Sequence, residues 1–127
     1  MPRVIDPPEA KALSKYAQAV VHGANAERIT VSGQLGLKAD GTAEQGLEAQ
    51  MVRAFENLFL VLKAAGFDKR HLIKTTVFVT QPGQVQLYRS VRDRMMEGHL
   101  AANTYLVVAG LAMPQFLVEI EGEAVKE

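Results

Sequence analysis

Residues 101–124 close the chain with the run Ala101-Ala102-Asn103-Thr104-Tyr105-Leu106-Val107-Val108-Ala109-Gly110-Leu111-Ala112-Met113-Pro114-Gln115-Phe116-Leu117-Val118-Glu119-Ile120-Glu121-Gly122-Glu123-Ala124. It reads as two apolar strands around a short break. A strand turns successive side chains to opposite faces. Glu119, Glu121 and Glu123 therefore share one face of the second strand, and Val118, Ile120 and Ala124 take the other. Three like charges in a row either face water or hold one carboxylate in a pocket where its acidity is used. The apolar face has to be covered by other elements, and these are found by working outward.

Residues 44–65 carry the clearest helical pattern. Leu47, Met51, Phe55, Leu58, Leu62 and Ala65 recur at steps of three or four, which stacks them on one face for packing against a sheet. Gly66 stands where a helix-ending glycine belongs. Leu72 to Thr80 is apolar and β-branched, a strand broken by Gln81-Pro82-Gly83. A second helix runs from about Gln84 to Glu97, with Val85, Tyr88, Val91 and Met95 as its inner stripe. Arg89, Arg92, Asp93 and Arg94 fall mostly on its outer, solvated side. Near the start, Tyr16–Gly23 and Arg28–Ser32 read as strands joined through Asn25 and Ala26, an expected hairpin. Residues 1–15, with Pro2, Pro7 and Pro8, read as irregular.

The expected order is β-β-α-β-α-β-β in a single domain spanning 1–127. Right-handed crossovers place both helices on one side of a mixed sheet, an α+β arrangement. The strand 72–80 has no strongly polar side, so the bare face of the sheet is expected to be apolar. A large exposed apolar surface marks an interface, and a homo-oligomer packed through these faces follows.

Composition sets further bounds. Fourteen basic residues balance fourteen acidic ones. This argues against a nucleic-acid partner, whose phosphates are bound by accumulated Lys and Arg. The absence of cysteine removes disulfides, thiolate metal sites and thiol nucleophiles. His22, His71 and His99 lack metal-ligand spacing. No apolar run approaches the roughly 20 residues needed to cross a bilayer, and the N-terminus lacks the apolar run of a secretory signal. A soluble cytoplasmic protein is the expectation.

Several short motifs occur in a fixed order: Tyr16-Ala17-Gln18-Ala19-Val20, Val31-Ser32-Gly33-Gln34, Gln50 with Ala54-Phe55-Glu56-Asn57-Leu58, Ala64-Ala65-Gly66, Lys74-Thr75-Thr76-Val77-Phe78-Val79-Thr80 and Val118-Glu119-Ile120-Glu121. As an ordered set covering nearly the whole chain from Tyr16 onward, they resemble the RidA family, also called YjgF or UK114-like. The resemblance implies a chorismate-mutase-like α+β fold. It implies a homotrimer whose sheets form an inner barrel with the helices outside, and ligand clefts between subunits. It implies hydrolysis of reactive enamines and imines, such as 2-aminoacrylate, to a keto acid and ammonia, with no metal or organic cofactor. In site residues, it implies that the glutamate positioning water or the substrate nitrogen falls on Glu119. The glycine whose carbonyl lines the pocket falls on Gly33, and the pocket tyrosine on Tyr16.

One position departs from the family's pattern. The carboxylate-clamping arginine of a Pro-Ala-Arg-Ser/Thr segment is replaced by Asn103 within Ala101-Ala102-Asn103-Thr104, and Tyr105 two residues on is bulkier than the family usually carries. The break Ala112-Met113-Pro114-Gln115 is about one residue longer than the usual form. An amide has two N–H donors and no charge, against five donors and a full positive charge for arginine. Losing a charge-assisted pair weakens carboxylate binding by roughly 1.5–3 kcal/mol, so 2-aminoacrylate is not the expected substrate. A neutral amide, an imine without a carboxylate, or a larger molecule held by Tyr105 would suit the altered pocket. His22, Arg89, Arg92 and Arg94 are the candidate replacement cations, and the sequence leaves their positions open. Three functions follow: a cofactor-free deaminase using Glu119 and Tyr16, with Gly33, Asn103 and Tyr105 binding the ligand; a non-catalytic metabolite-binding or regulatory trimer; and, lowest, an endoribonuclease or translation inhibitor, which neutral charge and the lack of a basic-aromatic stripe disfavour.

Overall fold

The computed structural model describes residues 2–10 and 12–127. Its first long element, helix α1 (Leu47–Ala64), buries Leu47, Met51, Ala54, Phe55, Leu58 and Leu62, the face that the sequence spacing marks out. The helix stops at Gly66, whose φ of 82° is one that glycine adopts without a Cβ clash. The Gly66 N–H then donates to Lys63 and the Phe67 N–H to Leu62, which satisfies the last carbonyls of the helix and tucks Phe67 into the core. Helix α2 (Val85–Met96) buries Tyr88, Val91, Arg92 and Met96.

Both helices cover one face of a four-stranded sheet. Its strands are β3 (Glu27–Leu35), β4 (Leu72–Val79), β5 (Ala102–Val107) and β6 (Val118–Lys126), in the order β3-β6-β4-β5. β6 is antiparallel to β3 and to β4, whereas β4 and β5 run parallel. On the helix side lie Val118, Ile120 and Ala124 of β6 with Thr75, Val77 and Val79 of β4, all buried. This is the mixed α+β sheet with two helices on one face that the sequence predicts.

Two local expectations are corrected. The strands around residues 22–26 do not form a hairpin. β2 (Ala19–Val21) pairs instead with β1 (Arg3–Ile5), inside the segment expected to be irregular, to make a separate two-stranded sheet. β3 pairs with β6, in a register running from Glu27↔Lys126 to Leu35↔Glu119. The nine-residue β6 offers β3 more partners than the three-residue β2 can.

The uncovered face of the sheet is also not apolar. Thr30 and Ser32 of β3, Lys74 and Thr76 of β4, and Glu121 and Glu123 of β6 line a groove of about 440 Å³ there. Lys74 Nζ donates to Thr104 Oγ1 at 2.6 Å, and Arg28 pairs with Glu123 at 2.9 Å. The argument for self-association from a bare hydrophobic face therefore falls. The error lay in reading β4 alone, because its neighbours β3 and β6 bring the polar side chains. None of the described helices is long and apolar enough to cross a membrane.

Candidate functional site

The five predicted site residues separate into two groups on opposite faces of the sheet. Glu119 is the register partner of Phe78, on the open face. Asn103 and Tyr105 are the register partners of Thr75 and Val77, which point beneath the helices. Within one protomer, Glu119 and Asn103 cannot meet.

On the open face, Glu119 and Gly33 come together. β3 is irregular between Val31 and Gln34, and this shift carries Gly33 against the Glu119 side chain. A Cβ on Gly33 would overlap the carboxylate and stand only 2.8 Å from Glu119 Cγ. Glycine here makes room for a carboxyl group. Glu119 has no hydrogen-bond or ion-pair partner among the described residues, whereas Glu123 is committed to Arg28 and Glu121 is exposed. The strand carrying Glu119 is held from behind by buried Gln50. Its Oε1 accepts from the Leu117 N–H at 2.8 Å, and its Nε2 donates to the carbonyls of Gln115 and Glu44. That fastens the long break between β5 and β6 to α1.

On the helix side, Tyr16, Asn103 and Tyr105 line one cleft of about 250 Å³ together with Tyr88, Arg89 and Arg92 of α2. Asn103 Oδ1 accepts from Thr75 Oγ1 at 2.8 Å and from the Tyr88 hydroxyl at 2.9 Å. Two hydroxyls donating to one oxygen fix the amide's orientation, so its Nδ2 points away from them as a donor. Tyr88 is buried between Phe55 and Tyr105, with ring centroids 6.2 and 5.2 Å away. Burial pushes its hydroxyl pKa up, so it remains a protonated donor. The Tyr105 hydroxyl is buried without a hydrogen-bond partner among the described residues, and burial raises its pKa too. The Tyr16 hydroxyl accepts from the Leu13 N–H at 3.3 Å.

Arg92 is the main residue that the sequence reading misplaced. Expected on the solvated side of α2, it is 6% exposed. Its Nε and Nη2 donate to Asp93 Oδ1 at 3.1 and 3.0 Å, and Nη2 also reaches Ser14 Oγ at 3.4 Å. Its guanidinium lies 5.7 Å from the Tyr88 ring centroid, four residues back on the same helix face. The signal in the sequence was that spacing: Arg92 continues the stripe that Tyr88 begins. Arg89 is half-buried and makes no ion pair among the described residues. Of the other candidate cations, Arg94 approaches Glu48 at 3.7 Å on the surface, and the His22 ring lies 3.0 Å from the Gly23 carbonyl. His71 accepts from the Asp68 N–H at 3.0 Å and His99 bonds the Leu72 carbonyl at 2.7 Å, both backbone roles. Among the described residues no cluster of His, Cys, Asp and Glu is arranged to hold a metal ion.

The chain and its fold resemble known proteins. The family model for endoribonuclease L-PSP matches residues 7–126. The chain is 38% identical over 115 residues to the RutC family protein UK114 of Drosophila melanogaster, covering 88% of this chain and 80% of that one. It is 32% identical over 119 residues to the 2-iminobutanoate/2-iminopropanoate deaminase of Rattus norvegicus, covering 91% and 82%. Among solved structures, YyfB of Yersinia pestis, described as a protein of unknown function of the conserved Rid protein family, superposes with a TM-score of 0.90 at 27% identity over 98% of both chains.

Proposed function

The chain belongs to the RidA/YjgF/UK114 family, and from that premise we propose that it is a cofactor-free hydrolytic deaminase of small imines or enamines, working as a homotrimer with its clefts between subunits. The observation that carries this reading is the Glu119 carboxylate, without a partner among the described residues, in the space that Gly33 leaves open. The family's rat member is named a deaminase of 2-imino acids, which supports the same class of chemistry here.

The chemistry asks little of the protein. A protonated imine carbon is electrophilic. Glu119 takes a proton from a water molecule as its oxygen bonds to that carbon, giving a carbinolamine. The proton then passes to the nitrogen, Glu119 takes up the hydroxyl proton as the C–N bond breaks, and a carbonyl compound and ammonia leave. The Tyr16 hydroxyl and the Gly33 carbonyl orient the substrate. Because Glu119 and Asn103 lie on opposite faces of one protomer, a site that uses both draws them from two copies, which favours the inter-subunit cleft. With Asn103 in place of the strand arginine, β5 itself brings no charge to a substrate carboxylate.

Imines generated in situ by an amino-acid oxidase provide the test, with ammonia release followed over a panel of amino acids. Wild type should accelerate release from at least one imine, and Glu119→Ala should lower that rate at least 100-fold. A panel on which wild type matches buffer would sink the deaminase reading. It would leave the second reading, a metabolite-binding trimer, which the missing arginine motivates and which ligand-induced thermal stabilisation would reveal. The endoribonuclease description of the family model finds no basic-aromatic stripe here to support it. RNA cleavage that survives both Glu119→Ala and repurification would count in its favour.

A further inference from the structure

We propose that Arg89 on α2, with the Asn103 amide, anchors a carboxylate in the Tyr16–Tyr105 cleft, so that the cation lost from β5 is supplied by the helix. This deepens the deaminase reading and rests on taking that cleft as the ligand site.

The argument is an inventory of charge and donors. Among the described residues no acidic side chain lines the cleft, whereas Arg89 and Arg92 both do. Arg92 is spoken for: it is buried, and two of its nitrogens are held by the Asp93 carboxylate. That pair is close to neutral. Arg89, three residues earlier and on the same side of α2, has no such partner among the described residues and is only half-buried. Among the described residues, the cleft therefore keeps the positive charge of Arg89 uncompensated. Beside it, Asn103 offers Nδ2, because Thr75 and Tyr88 hold its oxygen. The Tyr105 hydroxyl is a third donor without a partner among the described residues.

Donors that converge on a cleft beside an unpaired arginine, as they do among the described residues, suit an anion. The walls of Tyr16, Tyr88 and Tyr105 leave room for a small organic one rather than a bare inorganic ion. Asn103 is then part of the clamp. Its pinned amide supplies the strand's share of the contact, and Arg89 supplies the charge. An Asn103 that merely filled the space of a lost arginine would not need two hydroxyls to orient it.

The test is calorimetric titration of the assembled protein with 2-oxobutanoate, the keto acid that hydrolysis of 2-iminobutanoate releases, against its neutral amide. Wild type should bind the carboxylate and not the amide, more weakly as salt is raised. Arg89→Gln should weaken the carboxylate about 10-fold or more, and Arg89→Lys should restore part of the loss. In turnover, Arg89→Gln should raise KM, whereas Glu119→Ala lowers kcat. Equal binding of acid and amide, no binding of either, or unchanged carboxylate affinity in Arg89→Gln would each overturn the proposal. If Arg89→Gln behaves as wild type while Glu119→Ala is dead, the deaminase reading stands and this anchor fails. If Arg89→Gln loses binding while Glu119→Ala turns over normally, the anchor stands and the role of Glu119 fails.

Discussion

The open face of the sheet around Glu119 and the covered cleft around Asn103 solve opposite problems. At Glu119 the backbone withdraws: Gly33 carries no side chain, and the carboxylate is left without a partner among the described residues. At Asn103 the protein closes in, with two hydroxyls on one amide oxygen and an aromatic stack behind. On the proposed function, a reacting group is kept free and a recognising group is held in a single orientation. The two regions should therefore respond differently to small substitutions, the first in rate and the second in stability and affinity.

The largest effect is expected at Gly33. Gly33→Ala puts a methyl group where the Glu119 carboxylate now sits. The glutamate can swing away at little cost to folding but not to its alignment. Turnover should fall about 100-fold with the melting temperature nearly unchanged. A Gly33→Ala protein of wild-type rate would break the comparison at its stronger end.

On the other side, Tyr88→Phe keeps the buried ring and deletes one donor to Asn103. The expected cost is about 1 kcal/mol of stability, or roughly 3–5 °C in a chain of this size, with ligand affinity reduced a few-fold and kcat little altered. A large loss of kcat at unchanged stability would show that the two regions are not divided as described.

The smallest change is expected outside both. The short turn Lys69–His71 before β4 is capped by Asp68, whose carboxylate is lowered from its ordinary 3.8 to about 2, chiefly by its hydrogen bond from the Arg70 side chain. A depressed carboxyl pKa stabilises the fold at pH values above 3.8, and that contribution is lost as pH falls through about 2. Asp68 is partly exposed, so solvent screening keeps the effect small. Asp68→Asn retains a capping side chain and should narrow the difference in melting temperature between neutral pH and pH 2, without touching turnover. An altered rate would mean that the turn communicates with the cleft.

What the sequence disclosed follows from how local each signal is. The stripe of α1, the ending at Gly66 and the alternation that isolates Glu119 are properties of single segments, and period alone reveals them. The pairing of β3 with β6 joins residues far apart in the chain, and the nearer hairpin looked as plausible until β1 supplied another partner for β2. The polar character of the open face is shared among β3, β4 and β6, so no one strand announced it. Arg92 was hidden for a different reason. An arginine is seldom buried unless it is paired, and Asp93 and the Tyr88 ring come to Arg92 only once α2 has folded. Asn103 was legible as an oddity from its motif, but its two hydroxyl partners were not.

The placement of Glu119 and Asn103 on opposite faces has a genetic corollary. Where each working cleft borrows its carboxylate from one copy and its clamp from the next, a chain defective in Glu119 and a chain defective in Arg89 are not equivalent losses. Co-assembled, they rebuild some clefts in which both contributors are intact. Two alleles that are each impaired alone would then complement in part when expressed together, and a doubly defective chain would instead poison the assemblies it joins.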